Sequence, residues 1–399
     1  MNDRRLAFLY SPEVEALTYP PDCPFKTQRA GETRHRLISF GLLSGPGQRE
    51  VTARPATKEE LERIHAPRYL SVLRHVARGG FSVEALQMGI GRDDTPAFGA
   101  LFDYGAWACG AGLNAVDLLL QGRADIAFNL LGGFHHAHAD RAGGFCFLND
   151  VALACDALAR AGKRVVCLDL DAHHGDGTQA LFYGRDDVMT ISMHESGKTL
   201  FPWGGHEDEI GVGRGLGFNV NIPLPADTFD DAFLHAFRSV ALPLLEARHP
   251  DVVVVELGLD ILAGDPLTHL VLTNNVVVEV MHDLLQLNKP LLIAGGGGYH
   301  MEHTVRGWAL AWRTCAGGDG ADEFSFGLGG VVMGSSEWAG GLRDHERVVL
   351  PEQRQAVDFE LNATLATVQE LVFPFHGLAV RGPRARGLNF AALRHEPKT

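Results

Sequence analysis

The sequence predicts a single α/β domain with a mainly parallel central sheet and helices on both faces. From about residue 125, short β-rich runs alternate with helical patterns, and this strand–helix–strand rhythm is typical of parallel strands joined by crossover helices. The run 252–255 is four consecutive valines, as expected of a strand buried on both faces. In such sheets, ligands bind beyond the carboxyl ends of the strands, and the unusual polar clusters of this chain follow predicted strands.

Five strands are predicted, over residues 126–131, 164–170, 188–193, 252–257 and 291–294. A helix over 151–161 has Asn149 as N-cap and ends at Gly162. A second helix starts at Thr228, with Asp231 forming an approximate capping box, and a third spans 275–287. The first 120 residues are expected to be mostly helical and loop-like. Near the C-terminus, two glycine-rich patches (327–334 and 340–341) precede a helix near 355–371.

Composition excludes several classes of protein. Hydrophobic residues make up 46% of the chain and charged residues 21%, as in an ordinary globular protein. The formal net charge is −14, from 49 acidic and 35 basic residues, which argues against nucleic-acid binding and is compatible with cationic ligands. Six scattered cysteines without a C-x-x-C pair favour reduced thiols. With no secretory signal or membrane-spanning run, we expect a cytoplasmic protein.

A dense polar cluster follows the apolar run 165–168. Asp169, Asp171 and His173 alternate along the chain, so in an extended strand their side chains would converge on one surface. Two carboxylates and an imidazole are ligands that zinc prefers. Taken alone, the same pattern also fits a solvated loop after a buried strand.

Three further clusters follow strands. His135 and His136 come after two glycines and before Gly144 and Phe145; imidazole is the natural general acid or base near neutral pH, although adjacent histidines can also be purely structural. Asp260 lies past the strand 252–257, where it could serve as a metal ligand or a helix cap. Tyr299 follows four glycines; no Lys-Ser/Thr comes after them, so a P-loop is disfavoured. Its phenol could donate to an oxyanion or merely pack its ring.

With these four clusters in this order, the chain resembles the zinc-dependent histone deacetylase superfamily, which has an arginase-like α/β fold. The run 265–270, Asp-Pro-Leu-Thr-His-Leu, is similar to that of bacterial acetoin-utilisation deacetylases. The resemblance covers roughly residues 8–315. It implies a single arginase/deacetylase-like catalytic domain over 1–320, and we expect 321–399 to be a C-terminal extension packed on the same domain.

The resemblance implies roles for individual residues. The implied zinc ligands are Asp171, His173 and Asp260. The implied catalytic residues are the general base His136, its electrostatic partner His135, the carboxylates Asp169 and Asp176 that pair with His135 and His136, and Tyr299, which polarises the amide carbonyl. The implied substrate-binding residues are Gly144, Phe145 and Phe201 in an apolar tunnel for a lysine stem, and Asp94, which grips substrate amides. Arg29 resembles an arginine of the product-exit region.

The family also binds potassium. The resemblance places this ion at Asp169 and Ser192, with main-chain oxygens of Asp171, His173 and Met193, and a second monovalent-cation site at residues 182–188. Two positions depart from the family pattern, Leu259 and Trp203. Leu259 could reshape the pocket floor, and Trp203 the tunnel rim.

The implied function is zinc-dependent hydrolysis of the N6-acetyl-lysine amide in proteins, with an acetylated acyl-CoA synthetase as the expected partner. Acetylpolyamines, or other acyl groups such as lactyl, are alternative substrates. A ureohydrolase with two manganese ions would need an aspartate at position 258, where this chain has Gly258. A catalytically silent scaffold would be expected to lack a ligand or the tyrosine, and this sequence retains them all.

Overall fold

A computed structural model of the chain describes residues 4–318 and 341–380. Within these residues, eight parallel strands form one sheet in the order β2-β1-β3-β8-β7-β4-β5-β6. The strands are β1 (Leu6–Tyr10), β2 (Gln48–Thr52), β3 (Ile126–Asn129), β4 (Val165–Asp169), β5 (Val188–Glu195), β6 (Asn219–Leu224), β7 (Val252–Glu256) and β8 (Leu291–Ala294).

The α-helices lie mainly between and around these strands. They are α1 (Gln28–Ser39), α2 (Lys58–Leu61), α3 (Pro67–Ala77), α4 (Val83–Gln87), α5 (Leu101–Leu120), α6 (Asp150–Arg160), α7 (Asp176–Phe182), α8 (Asp230–Ala236), α9 (Leu242–Arg248), α10 (Asn275–Gln286), α11 (Met301–Cys315) and α12 (Pro351–Val372). The predicted α/β class with a parallel sheet is confirmed.

Strand β3 shows how the two faces of the sheet are covered. Phe128 packs against Trp312 of α11, with ring centroids 5.1 Å apart. The next residue, Asn129, points to the opposite face and donates to the Ala108 carbonyl of α5 at 3.0 Å. Because side chains alternate along a strand, α5 and α11 lie on opposite faces of the sheet. Every residue of β4 and β7 is buried, as two-sided coverage requires.

The five predicted strands and the helices α6 and α10 are confirmed, with small differences at their ends. Asn149 caps α6 as predicted, and its side chain accepts from the Ala152 amide at 2.8 Å. The predicted start of the next helix is wrong. Helix α8 begins at Asp230, and the Thr228 hydroxyl donates to the Pro225 carbonyl at 2.7 Å instead of capping it.

The first 120 residues that the structure describes are mostly helical and loop-like, as expected, but they also contain β1 and β2, which were not predicted. β1 is a five-residue apolar run that carries no alternation, and β2 is an edge strand with only one aliphatic residue. Strand β6 was not predicted either: it contains Pro223, which is tolerated because β6 lies at the other edge of the sheet.

Near the C-terminus, α12 confirms the predicted helix near 355–371 and packs on β6 and α8. The glycine-rich patch 327–334, and Gly340 of the second patch, lie outside the described residues. The domain boundary at residue 320 therefore stays a prediction. All six cysteines are free and buried. None of the helices within 4–318 and 341–380 has the length and apolar character needed to cross a membrane.

Candidate active site

Three predicted metal ligands come together beyond the carboxyl ends of β4 and β7; Asp171, His173 and Asp260 are called here the metal-candidate group. Nδ1 of His173 lies 2.8 Å from Oδ2 of Asp260 and 3.2 Å from Oδ1 of Asp171. One ligand atom from each side chain lies within 4.8 Å of the others, and all three residues are buried. Two carboxylates and one imidazole at this spacing suit a catalytic divalent metal.

The electrostatics of the metal-candidate group also favour a cation. Burial disfavours a charged His173, but its hydrogen bonds to Asp171 and Asp260 outweigh burial and raise its pKa to about 10. Burial and the charge of Asp171 raise the pKa of Asp260 to about 7. The two carboxylates therefore make His173 bind its second proton tightly. A bound metal ion would take the place of that proton, with both carboxylates ionised and the imidazole neutral.

Close backbone approach fixes the two carboxylates. The amide of Gly297 donates to Oδ2 of Asp171 at 2.5 Å, and that of Ala172 donates to Oδ1 of Asp260 at 2.9 Å. A Cβ placed on Gly297 would lie 2.1 Å from Asp260 Oδ2, and one placed on Gly258 would lie 2.1 Å from Asp171 Oδ2. An aspartate at position 258, which the two-manganese ureohydrolase arrangement needs, would therefore not fit here.

His135 and His136, called here the histidine pair, lie beside the metal-candidate group in a buried hydrogen-bonded chain. Nδ1 of His135 is 2.8 Å from Oδ2 of Asp169, and Nδ1 of His136 is 2.8 Å from Oδ1 of Asp176. The two Nε2 atoms lie 3.1 Å apart. The structure thus brings each histidine to the carboxylate with which the resemblance pairs it.

The two histidines differ in protonation. Burial opposes charge on His135, but the carboxylates of Asp169 and Asp171 outweigh it and raise its pKa to about 9. Burial and the charge of His135 lower the pKa of His136 to about 4, against the opposing effect of Asp176. At neutral pH, His135 is therefore an imidazolium that donates from both nitrogens. His136 is neutral, donates from Nδ1 to Asp176, and carries a lone pair on Nε2.

Glu256 is a buried carboxyl that the sequence analysis gave no role. It ends β7 directly opposite Asp169 in the strand register and is fully buried, and neither oxygen has a hydrogen-bond partner. Burial and the charges of Asp169 and Asp171 raise its pKa well above the ordinary value, which favours the uncharged carboxyl. Glu256, Asp169 and His135 also lie close together: Oε1 of Glu256 is 3.2 Å from Nδ1 of His135, the same atom that is hydrogen-bonded to Asp169 at 2.8 Å.

Tyr299 follows the turn formed by residues 295–298, and side chains from distant parts of the chain hold both the turn and the backbone of Tyr299. Its amide donates to Oδ2 of Asp265 at 2.7 Å. The buried guanidinium of Arg29 donates to the carbonyls of Gly296 and Gly298, both at 2.8 Å. Burial and the nearby carboxylates of Asp260 and Asp171 raise the pKa of Tyr299 well above its usual value. The phenol is therefore protonated at neutral pH and able to donate a hydrogen bond.

Two aromatic side chains, those of Phe145 and Phe201, flank these polar groups. The Phe145 and Tyr299 ring centroids are 5.7 Å apart, and the Phe201 and His136 ring centroids are 5.1 Å apart. Gly144 leaves room for the His136 ring, because a Cβ there would lie 2.3 Å from His136 Cδ2. The structure thus places Phe145 on the tyrosine side of the site and Phe201 on the histidine side.

Asp94 is engaged with the Phe145 side of the site. Its Oδ2 accepts from the Gly144 amide at 2.9 Å, and its carbonyl accepts from the Phe145 amide at 2.8 Å. These bonds hold Phe145 in a left-handed backbone conformation with φ of 66°. In this structure Asp94 therefore supports the backbone of Gly144 and Phe145; the tunnel and the contact with substrate amides stay predictions.

The two predicted potassium sites stay predictions. Asp169 and Ser192 lie opposite each other on β4 and β5, and Ser192 Oγ is 2.8 Å from Nδ1 of His194. In the second stretch, the carbonyls of Phe182 and Tyr183 accept hydrogen bonds from main-chain amides at 2.9 Å.

Some supporting residues could not be assigned from the sequence. His138 contacts the second oxygen of Asp176, with its Nε2 3.0 Å away; the spacing His136-x-His138 was the only signal. Asp265, seen in the sequence only as part of a motif, holds the Tyr299 amide. Asp150 accepts from the amides of Gly133 and Phe134 at 2.9 and 3.0 Å. Its sequence position indicates only the first turn of a helix.

Comparison with known proteins identifies the class to which this fold and site belong. The histone deacetylase domain family matches residues 23–315. Two solved structures are similar: a histone deacetylase homolog from Aquifex aeolicus (TM-score 0.79, 30% identity, 89% of this chain and 99% of that chain), and a histone deacetylase homolog complexed with SAHA (TM-score 0.81, 30% identity, 92% and 100%). The chain belongs to the histone deacetylase superfamily, a family of deacetylase hydrolases.

Within that superfamily, the similarity is to proteins of acetoin utilisation. The chain is 37% identical over 332 residues to the acetoin utilization protein AcuC of Bacillus subtilis, covering 80% of this chain and 84% of that protein. It is 36% identical over 318 residues to AcuC of Staphylococcus xylosus, covering 78% and 82%. The predicted AcuC-like resemblance is confirmed.

Proposed function

We propose that this protein hydrolyses the N6-acetyl-lysine amide of proteins in a zinc-dependent reaction that releases acetate and free lysine. The observation that carries the proposal is the position of His136, which is hydrogen-bonded to Asp176 at 2.8 Å and has its ring centroid 5.9 Å from that of His173 in the metal-candidate group. A base, a metal-ligand set and a phenol donor in one buried site are the parts that amide hydrolysis needs.

The metal-candidate group would hold the zinc ion. Its two carboxylates and one imidazole are the donors zinc prefers, and three protein ligands leave a position open for catalysis. Zinc, when bound, would polarise the amide carbonyl and lower the pKa of water towards about 7. Potassium is proposed as a structural ion at Asp169 and Ser192, with main-chain oxygens of Asp171, His173 and Met193.

His136 is proposed to move the protons. Its Nδ1–H donates to Asp176 at 2.8 Å, so its tautomer is fixed and its basic atom is Nε2. That Nε2 accepts from Nε2 of His135 at 3.1 Å, and it would exchange this hydrogen bond for one from the attacking water, whose proton it then takes. The resulting imidazolium is stabilised by the Asp176 carboxylate, and it returns the proton to the departing lysine amine. His135 already carries a proton and keeps the pKa of His136 low, which favours this return.

Tyr299 is proposed to stabilise the negative charge that develops on the carbonyl oxygen. Because Asp265 and Arg29 hold the turn on which Tyr299 sits, the phenol is positioned before the substrate arrives. A donor fixed in advance costs little reorganisation in the transition state, and removal of one such donor typically lowers kcat by about 10²–10³.

Phe145 and Phe201 are proposed to enclose the apolar methylene stem of the acyl-lysine, while the amide reaches the polar groups below them. An aliphatic chain between two aromatic rings is well matched to such a tunnel. An acetylated acyl-CoA synthetase is the proposed partner. Six free, buried cysteines support a reducing compartment, and we place the reaction in the cytoplasm.

The test is acetate release from a panel of acetyl-lysine peptides, lactyl-lysine peptides and acetylpolyamines, before and after chelation and with zinc add-back. We expect chelator-sensitive, zinc-restored hydrolysis of acetyl-lysine peptides. His173→Ala serves as the matched variant and should stay inactive after add-back. Turnover confined to acetylpolyamines or to lactyl-lysine would make that compound class, and not acetyl-lysine in proteins, the substrate. No turnover of any of them by zinc-loaded protein would defeat the proposal.

A further inference from the structure

The exposed residue Trp203 lies where the chain leaves the candidate site and reaches the surface. Phe201, two residues earlier, packs on His136 inside the site. Three consecutive residues span at most about 7 Å between their outer Cα atoms. Trp203 nevertheless has 63% of its surface exposed. Its position is therefore the rim of the tunnel, on the side of His136.

Neither the backbone nor the burial of Trp203 favours a tryptophan for folding. Its φ is 65°, in the left-handed region that is disfavoured for residues with a Cβ and that glycine adopts freely. The ring is exposed, whereas large aromatic side chains are usually well buried. Strained and exposed residues beside a site are often kept for ligand contact. We infer that Trp203 is a specificity residue that packs against the substrate residue next to the acyl-lysine.

The chemistry of the rim favours a basic neighbour in the substrate. The face of an indole ring attracts an arginine or lysine side chain. The two segments that carry Asp94 and Trp203 have exposed acids at Asp93 and Asp208 and exposed bases at Arg92 and Lys198. With a net charge of −14, the protein also attracts basic peptides over longer distances. The occupant we infer is an arginine or lysine flanking the acyl-lysine.

This inference rests on the proposed function but makes a separate prediction. Acetyl-lysine capped at both backbone ends has no neighbouring residue outside the tunnel, so it should not contact Trp203. A peptide with a basic neighbour should reach it. Trp203 should therefore affect substrates according to what lies outside the tunnel, and should leave the chemical step unchanged.

The experiment compares wild type with Trp203→Gly on three substrates: an arginine-flanked acetyl-lysine peptide, an alanine-flanked one, and capped acetyl-lysine. We expect KM for the arginine-flanked peptide to rise roughly 3- to 10-fold, from the loss of one aromatic contact, with kcat unchanged. Constants for capped acetyl-lysine should stay the same. The melting temperature should hold or rise, because glycine relieves the left-handed strain. Phe359→Ala removes another exposed aromatic residue, on α12, and should change nothing.

A fluorescently labelled, arginine-flanked peptide provides a second readout, because its binding is measurable by anisotropy without turnover. Weaker binding to Trp203→Gly would support the inference even if the wild type proved inactive, so failure of the proposed function is distinguishable. Equal binding and equal KM would overturn it. An equal loss on all three substrates, or a lower melting temperature, would also overturn it by indicating a structural role.

Discussion

Replacing Asp176 with asparagine removes a negative charge next to His136 and should leave the geometry of the histidine pair unchanged. Oδ1 of Asp176 lies 2.8 Å from Nδ1 of His136, and Oδ2 lies 3.0 Å from Nε2 of His138. An asparagine carbonyl can still accept the Nδ1–H of His136, so the tautomer should survive. What the substitution removes is the negative charge beside the imidazolium that forms when His136 takes a proton.

The size of the effect follows from this difference in one hydrogen bond. Burial opposes ionisation of Asp176, but hydrogen bonds to His136 and His138 outweigh it and hold its pKa below the usual range, so the wild-type group is ionised. Hydrogen bonds with a charged partner are worth roughly 1.5–3 kcal/mol and neutral ones about 0.5–1.5 kcal/mol. The loss of about 1–2 kcal/mol in the transition state corresponds to roughly a 5- to 30-fold lower kcat.

The assay is steady-state hydrolysis of an acetyl-lysine peptide, with metal content and melting temperature measured on the same samples. KM and metal content should be unchanged in Asp176→Asn, and Asp176→Ala should lose more activity because the tautomer is no longer fixed. Asp117→Asn removes an exposed acid on α5 and should match wild type. Full activity of Asp176→Asn, or a loss explained by missing metal, would refute the assigned role of the carboxylate.

Three other changes test separate parts of the site and fold. Tyr299→Phe should lower kcat by roughly 10²–10³ while keeping metal content and circular dichroism, and retained turnover would exclude the proposed donor. Burial lowers the pKa of His65 to about 4. Since the unfolded value is about 6.5, the unfolded state takes up this proton first as pH falls. The free energy of unfolding of the wild type should therefore drop by about 3 kcal/mol between pH 6.5 and 4. Urea unfolding of His65→Gln over the same pH range should show a smaller drop, and an equal pH dependence in the two proteins would contradict this explanation. Gly258→Ala places a Cβ 2.1 Å from Asp171 Oδ2, so it should bind less metal and lower the free energy of unfolding by about 1–3 kcal/mol. The control Gly99→Ala, whose Cβ would have its nearest neighbour at 3.8 Å, should change neither metal content nor stability.

The sequence allowed the sheet and the site to be predicted where local pattern and tertiary position agree. The valine run of β7 and the polar residues after β4 are both local signals, and parallel topology brings strand ends to one edge. Strand β2 was missed because an edge strand has few partners and needs little apolar surface; its sequence, Gln-Arg-Glu-Val-Thr, is largely polar.

Long-range partners within the site were beyond sequence reasoning alone. Glu256 faces Asp169 only because β7 pairs with β4, and sequence order does not reveal which strands are neighbours. Arg29 supports the turn before Tyr299 from 267 residues away, at Gly296. Such contacts depend on how α1 packs, and α1 carries no motif that indicates its position.

The most direct test of the proposed function is a zinc titration of metal-free protein, followed simultaneously by bound metal and by acetate release from an acetyl-lysine peptide. We predict that activity rises in proportion to bound zinc and reaches its plateau at one equivalent, and that Asp260→Asn neither retains zinc nor gains activity. A plateau that requires two equivalents, or full activity in the metal-free protein, would contradict a single catalytic metal at Asp171, His173 and Asp260.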